Sequence, residues 1–556
     1  STVKNVKSTK VKAYVILNQK QMYVLSAASL TRLFTNRMKK VLVLNSLTNV
    51  RKCSTTAAPT LSLRNYEELP SVPGGLPFLG SFMKLGAKPY GWEKHTENLQ
   101  LLREKHDPED YGLLRMTSRL FNPTGEGRIL AFFDPKDVEI AYKHEGKYPN
   151  RGSGFAPLLK WRQSRPDMFE ETTGVLMEEG EQWHHVRSLV QQDLMRPKSA
   201  MFYLDQIQDI GHDFVDFLDR KMSASEDGKT IRDLLPQLYN YGFEGSAAIA
   251  LNRRMGVFRE NPDPEVLQQL QEVRYVIEML PELIMGIPWY RIIPWMSPKY
   301  QKFVGHIDNF AYFVKAQIDE VKVQIKEKVE KNQLQKSDDI SVLEKLILKN
   351  GLTSNIPFVM ALDMIAAGID TTGASSGFLL YHLAANPEKQ EILRKELLEH
   401  DPHITESSLK KMRYLKACIK ESARLTPIIT FHLRLMQEDF SVKGFKIPAG
   451  TMGMWSTILT GRDPKYVDNP TEFQPERWLR GNESRIGPFI SLPFGHGPRM
   501  CVGKRFADIE MQLLTAKLIR TYRWEWIGEQ TISTKWQFIN VPDKSLDFKL
   551  HRLNSD

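Results

Sequence analysis

Residues 494–503 read Phe494-Gly495-His496-Gly497-Pro498-Arg499-Met500-Cys501-Val502-Gly503, and a helical pattern follows over 504–522. Cys501 is one of three cysteines, with Cys53 and Cys418. So few thiols, so far apart, make neither a disulfide framework nor a zinc site, and they fit a reducing compartment. To serve as a metal ligand, a lone cysteine must be held as the thiolate against an ordinary pKa of about 8.5. The helix start behind Cys501 points amides toward the sulfur and favours the anion. Gly495, Gly497 and Gly503 permit backbone turns that other residues resist and let amide N–H groups approach the sulfur. Phe494 would pack beside it and keep water off. A glycine-rich turn with a buried cysteine accounts for each feature singly, but not for six fixed residue types in ten positions.

The pattern Phe494-Gly495-x-Gly497-x-Arg499-x-Cys501-x-Gly503 resembles the complete signature of the cytochrome P450 family, and the chain is similar to the animal mitochondrial group from about Pro70 to its end. The resemblance implies a mainly α, single-domain haem-thiolate fold with small β-sheets. It also implies haem (iron protoporphyrin IX) with Cys501 as axial iron ligand, and insertion of one oxygen atom from O2 into a lipophilic substrate such as a steroid, secosteroid or xenobiotic. A single domain overrides the two or three that 556 residues would suggest.

Further motifs fall where this resemblance requires them. Ala367-Gly368-Ile369-Asp370-Thr371-Thr372 lies midway along a helix predicted over 357–386. It resembles the family's oxygen-activating motif, in which a small residue followed by Gly opens a groove for dioxygen. Thr371 would hydrogen-bond the oxygen and Asp370 would feed protons through water; alone, the motif fits a Thr back-bonded to its helix equally well. Trp183-His184-His185-Val186-Arg187 resembles the family's Trp-x-x-x-Arg element, which implies that Trp183 and Arg187 bond a haem propionate. Arg434 stands where a further propionate-binding arginine is often found, and Arg499 is expected to reach a propionate too. Glu421-x-x-Arg424 shares one helix face. In the family this motif meets an arginine of a Pro-Glu-Arg segment, here Pro475-Glu476-Arg477, which implies a buried structural triad of Glu421, Arg424 and Arg477.

The chain carries no Gly-x-Gly-x-x-Gly in a βαβ setting and no flavin motif, so single electrons must come from another protein. Lys416 and Lys420, four apart on a helix, resemble the pair with which mitochondrial members dock an acidic, adrenodoxin-like ferredoxin served by an NADPH-dependent reductase. Lys504 and Arg505 resemble the basic pair of the same group. Such patches steer acidic partners; the plain alternative is solvated lysines on a charged helix.

Residues 1–66 hold 12 of the 76 Lys and Arg and no Asp or Glu, which leaves 64 basic against 66 acidic groups in the rest. A near-neutral body argues against nucleic-acid binding. The basic segment has the composition of a mitochondrial import sequence, and Leu30, Leu33, Phe34, Met38 and Val41 fall within an arc of about 140° on a helix. Its apolar runs are too short for a span of about 20 residues. Pro70, Pro73, Gly74, Gly75, Pro77 and Gly80 read as a hinge. The expected organisation is a transit-like segment over 1–66, a hinge over 67–80 and the haem-thiolate domain over 81–556. Residues 280–296, with Ile and Trp among prolines, are expected to touch the inner mitochondrial membrane peripherally, or else to pack in the core. Strands at 440–447 and 451–458 are predicted to form a hairpin, and residues 326–339 to be a surface loop. Two other function classes share these features: a haem-thiolate isomerase or dehydratase using no external electrons, and a non-enzymatic haem sensor. The Asp370-Thr371 pair and the basic patch speak against them.

Overall fold

The computed structural model describes residues 63–553 save 76–78, 123–125, 153–154, 287–289, 291–293, 332–339, 482–485 and 529–530. Within 1–62 it describes two paired strands, Tyr14–Asn18 and Gln21–Leu25. The chain divides into the units Ser1–Ser62 and Leu63–Asp556, and the amphipathic stretch 30–41 lies outside the described residues. The second unit is mainly helical with small sheets, in agreement with the periodicity of the sequence.

The helices that position the site are α1 (Ala156–Gln163), α2 (Gly180–Met195), α3 (Leu204–Ser223), α4 (Leu235–Leu251), α5 (Pro264–Met285), α6 (Pro298–Glu330), α7 (Ile356–Ala385), α8 (Pro387–Leu398), α9 (Arg413–Leu425) and α10 (Lys504–Thr521). Helix α7 is apolar on nearly all sides because it runs through the core; it is long enough to cross a membrane, yet most of it is buried in the fold. Helix α4 packs most extensively along it, and glycines set the approach. A Cβ on Gly242 would lie 2.5 Å from the Ile369 carbonyl oxygen, one on Gly368 2.6 Å from Ser246 Cβ, and one on Gly373 2.5 Å from the Tyr239 ring. Helix α10 packs against both α3 and α7, so the segment that follows Cys501 is anchored in the same core.

A four-stranded sheet stands beside this body. Its strands are β1 (Leu113–Thr117), β2 (Arg128–Phe132), β3 (His432–Leu435) and β6 (Met452–Trp455), in the order β1-β2-β6-β3, with β2 and β6 parallel. The expected hairpin of 440–447 with 451–458 is corrected: β4 (Phe440–Val442) pairs with β5 (Phe445–Ile447). Lys443 and Gly444, at φ +50° and +80°, supply the two left-handed residues that a tight turn matched to strand twist requires. Strand β6 is buried along its whole length, as a central strand is.

Other boundaries differ from expectation. Residues 326–330 complete α6 instead of forming a loop. The helix expected over 409–425 breaks at Met412, because Glu396 of α8 accepts the amides of Tyr414 (2.7 Å) and Leu415 (2.9 Å) and so caps a fresh start. Within the expected hinge, Leu69 and Val72 are buried, the Arg115 amide donates to the Pro70 carbonyl at 2.8 Å, and the Val72 amide to that of Arg115 at 3.0 Å. That part of 67–80 is docked on the edge of β1. Of 280–296, Leu280, Leu283 and Tyr290 are core residues and Met296 is exposed.

Candidate functional site

The loop before α10 folds tightly because Gly495 and Gly497 sit at φ +71° and +73°. The Cys501 amide donates to the Phe494 carbonyl at 2.9 Å, and Gly503 caps α10. Cys501 is exposed although protein crowds it on most sides, and that crowding pushes its thiol above the ordinary pKa. The Gly503 amide and the charges of Arg151, Arg187 and Lys504 act the other way. The helix start is the one expected from the sequence, and the cations are supplied by the fold; burial outweighs both, a balance that a coordinated metal cation reverses.

Arginines gather around this loop. Trp183 and Arg187 are both buried on one face of α2, and Arg187 Nη2 donates to the Met500 carbonyl at 3.0 Å. Arg434, on β3, pairs through Nε with Glu145 Oε2 at 2.5 Å and donates from Nη2 to the His496 carbonyl at 3.4 Å. Gly497 is required twice over, since a Cβ there would lie 2.5 Å from Glu145 Oε1. Arg499 is largely committed to the protein. Its Nε donates to the Pro149 carbonyl (2.7 Å), and Nη2 to the Glu178 carbonyl (2.8 Å) and Glu179 Oε2 (2.6 Å), while the guanidinium lies 4.2 Å from the Trp183 ring centroid. These bonds brace Trp183 and the loop, while Nη1 makes only a long contact to the Val175 carbonyl at 3.4 Å. Arg151, which donates to the Arg499 carbonyl, joins the cluster.

Four guanidinium groups therefore sit near two carboxylates, Glu145 and Glu179. Burial first, and then Arg434 and Arg499, hold the Arg151 pKa down; burial does most of the same to Arg499. Trp183 Nε1 and His432 Nε2 are buried without a partner. Surplus positive charge with the orphaned Trp183 donor is a cradle for a dianionic edge, and the two propionates of haem fit it.

On α7, Ala367 is exposed and Thr371 half-buried. The Thr371 hydroxyl donates to the Ala367 carbonyl at 2.6 Å, the back-bonded geometry. Gly368 serves the α4 contact, where a Cβ would meet Ser246. Burial raises the Asp370 carboxyl to about 7, with Arg274 of α5 opposing and Glu278 assisting. Next to it, Thr372 donates to Glu510 Oε2 at 3.1 Å, and burial raises Glu510 to about 8.

A cavity of about 450 Å³ runs from Thr371 and Thr372 past Phe494 and Gly495 to Lys416, Lys420 and Lys504. Lys420 is exposed, with its ammonium 5.5 Å from the Trp478 ring centroid, and Arg505 is exposed. Lys416 is half-buried, and burial lowers its pKa; Lys504 pairs with Asp508 at 2.5 Å. The four basic residues are thus unequal in reach. Glu421, Arg424 and Arg477 form a buried group behind this wall: Arg424 donates to both Glu421 oxygens (2.7 and 2.9 Å) and Arg477 to one (3.1 Å). Trp478 Nε1 and the Gln474 amide complete it.

The residues that sequence reasoning missed are Glu145, Arg151, Glu179, His432, Thr372 and Glu510. For Glu510 a signal existed, since it shares the buried stripe of Phe506 and Leu513 at helical spacing, where an acid is out of place. For Arg151 and Glu145, single charges far from any motif, there was none.

Comparison with known proteins bears on the whole site. The Cytochrome P450 family model matches residues 70–550. Probable cytochrome P450 49a1 of Drosophila melanogaster is 31% identical over 89% of this chain and 84% of its own. Probable cytochrome P450 12a5, mitochondrial, of the same organism is 30% identical over 89% of this chain and 94% of its own. Cytochrome P450 12b1, mitochondrial, of Drosophila acanthoptera is 31% identical over 87% and 91%. With a signature loop, an arginine cradle and a family match spanning nearly the whole folded unit, the chain belongs to the cytochrome P450 family and is a haem-dependent monooxygenase, an oxidoreductase that uses dioxygen.

Proposed function

We propose that this monooxygenase acts on a lipophilic substrate in the mitochondrion, peripherally on the inner membrane, and draws single electrons from an acidic ferredoxin supplied by an NADPH-dependent reductase. The observation that carries the reading is the continuity of one cavity from Thr371, past the Cys501 loop, to a rim of Lys416, Lys420 and Lys504. Relatives named mitochondrial support the compartment.

Haem, when bound, supplies the iron at which dioxygen is activated for insertion into the substrate. Cys501 would ligate its iron, and Trp183, Arg187, Arg434 and Arg151 would hold its carboxylates. Arg499 braces Trp183 from behind. With its proton committed to Ala367, the Thr371 hydroxyl has lone pairs left to accept a hydrogen bond from a proton carrier in the cavity. Asp370, at about 7, holds and releases a proton near neutral pH, where a general acid works best. Apolar side chains such as Ile419, Leu379 and Ile428 line the same cavity and suit a substrate without charge.

The test is anaerobic reduction of the holoenzyme by reduced ferredoxin under carbon monoxide. The wild type should develop the red-shifted Soret band of a thiolate-ligated ferrous carbonyl, and Cys501→Ser should lose it. Lys416→Glu with Lys420→Glu should slow the reduction and flatten its salt dependence, because rim charges act through encounter and are screened over about 8 Å at physiological ionic strength. Unaltered reduction kinetics at low and high salt would place the docking surface elsewhere.

A further inference from the structure

Resting on that reading of the haem site, we propose that the buried pair Arg162–Asp363 is a positioning latch, joining α1 to α7 and thereby holding Arg499 and Trp183 at the cofactor's carboxylate edge. Asp363, Ala367 and Thr371 are spaced by four along α7 and share one face. Arg162 Nη2 donates to Asp363 Oδ1 at 2.5 Å, with the two side chains only 4% and 7% exposed. Arg162 Nη1 donates to the Thr173 carbonyl at 2.7 Å, so one planar fork spans α7 and the segment leading into α2. Gly174, at φ +84°, makes the approach possible: a Cβ there would lie 2.6 Å from both Arg162 Nη1 and Asp363 Oδ2.

That segment is stiff. Glu178 Oε1 accepts the Thr173 amide (2.7 Å) and the hydroxyls of Thr173 (2.8 Å) and Thr172 (3.2 Å). From there the Glu178 carbonyl and the Glu179 carboxylate accept Arg499 Nη2, and Arg499 lies against Trp183. A continuous set of contacts therefore runs from Asp363 on α7, through Arg162, Thr173 and Glu178, to Arg499 and Trp183. Stability alone does not account for a charged pair here, since apolar residues of similar size often replace a buried ion pair at no loss. A fork that fixes the relative place of two segments does account for it.

The experiment uses the holoenzyme and needs no substrate. Arg162→Met with Asp363→Leu removes the latch and keeps the volume, so the thermal midpoint should stay near that of the wild type. Haem transfer to apomyoglobin should nevertheless accelerate roughly tenfold or more, the size of effect seen when outer partners of a metal site are lost. The control is Arg254→Met with Glu244→Leu, a pair away from the site in which Glu244 is buried and Arg254 partly exposed, whose haem transfer should stay at the wild-type rate when the midpoint does. Wild-type haem transfer in the latch double variant overturns the latch. Should that variant fail to fold, Arg162→Lys decides: it keeps the charge but loses the fork, and a wild-type transfer rate from it also overturns the latch. A wild-type protein that takes up no haem overturns the reading of the site itself, a result distinct from either.

Discussion

Thr371 and Glu510 are close in space through Thr372, yet the fold gives them opposite tasks. Thr371 sits on the cavity with its proton directed at Ala367. Thr371→Ala should leave haem content intact and lower product formed per electron pair by about tenfold or more, the balance appearing as hydrogen peroxide, since a positioned proton path is lost; the peroxide-to-product ratio reads this directly. Glu510 is sealed in the core with one donor, and its pKa rises from 4.5 to about 8. Between those values the folded chain binds more protons than the unfolded one. The contribution to stability is therefore complete below the lower pKa and disappears as pH rises through the upper. Glu510→Gln keeps the shape without the charge. Its thermal midpoint should hold from about pH 5 to about pH 9, while that of the wild type falls relative to it.

Among the elements, α9 does the most with the fewest residues. Its inner face carries Glu421 and Arg424, both fully buried, and its outer face Lys420. Glu421 binds two guanidinium groups, an indole and a backbone amide, and thereby ties α9 to the segment around Pro475. Removing that carboxylate strands two buried cations, so Glu421→Ala should cost about 3–5 kcal/mol, measured as a lowered denaturant midpoint of the holoenzyme. The i, i+3 spacing makes this motif visible in the sequence; Trp478 and Gln474 join it only because the chain returns there from a distant segment. The pairing of strands followed the same division. Phe440 to Ile447 alternates visibly, but the sequence could not say that Met452–Trp455 pairs with Arg128–Phe132, more than 300 positions earlier.

For the molecule as a whole, the folded body begins earlier than the proline- and glycine-rich stretch suggests. Tyr66, Leu69 and Val72 are buried. A chain starting at Leu63 should keep its haem and its ferrous carbonyl band. One starting after Val72 should lose much of its soluble holoenzyme, since each of these side chains contributes about 1.5–3 kcal/mol by burial.

What the sequence by itself determined is whatever lies within one turn or one loop: the cysteine loop with its glycines, the oxygen-side motif on a long apolar helix, the Glu421–Arg424 pair, and the acid-free basic segment. Each is set by local geometry, because glycine φ angles and helical spacing act over a few residues. What only the tertiary structure decided is the company those residues keep. Gly368 packs on Ser246, Arg499 bonds Glu179 and the Pro149 and Glu178 carbonyls, and Arg151, Glu145 and Glu510 acquire their surroundings from segments up to hundreds of residues away. Burial and charge density are properties of the packed interior, so the positive surplus at the cofactor edge and the raised carboxyl pKa values exist only once the chain has closed around them.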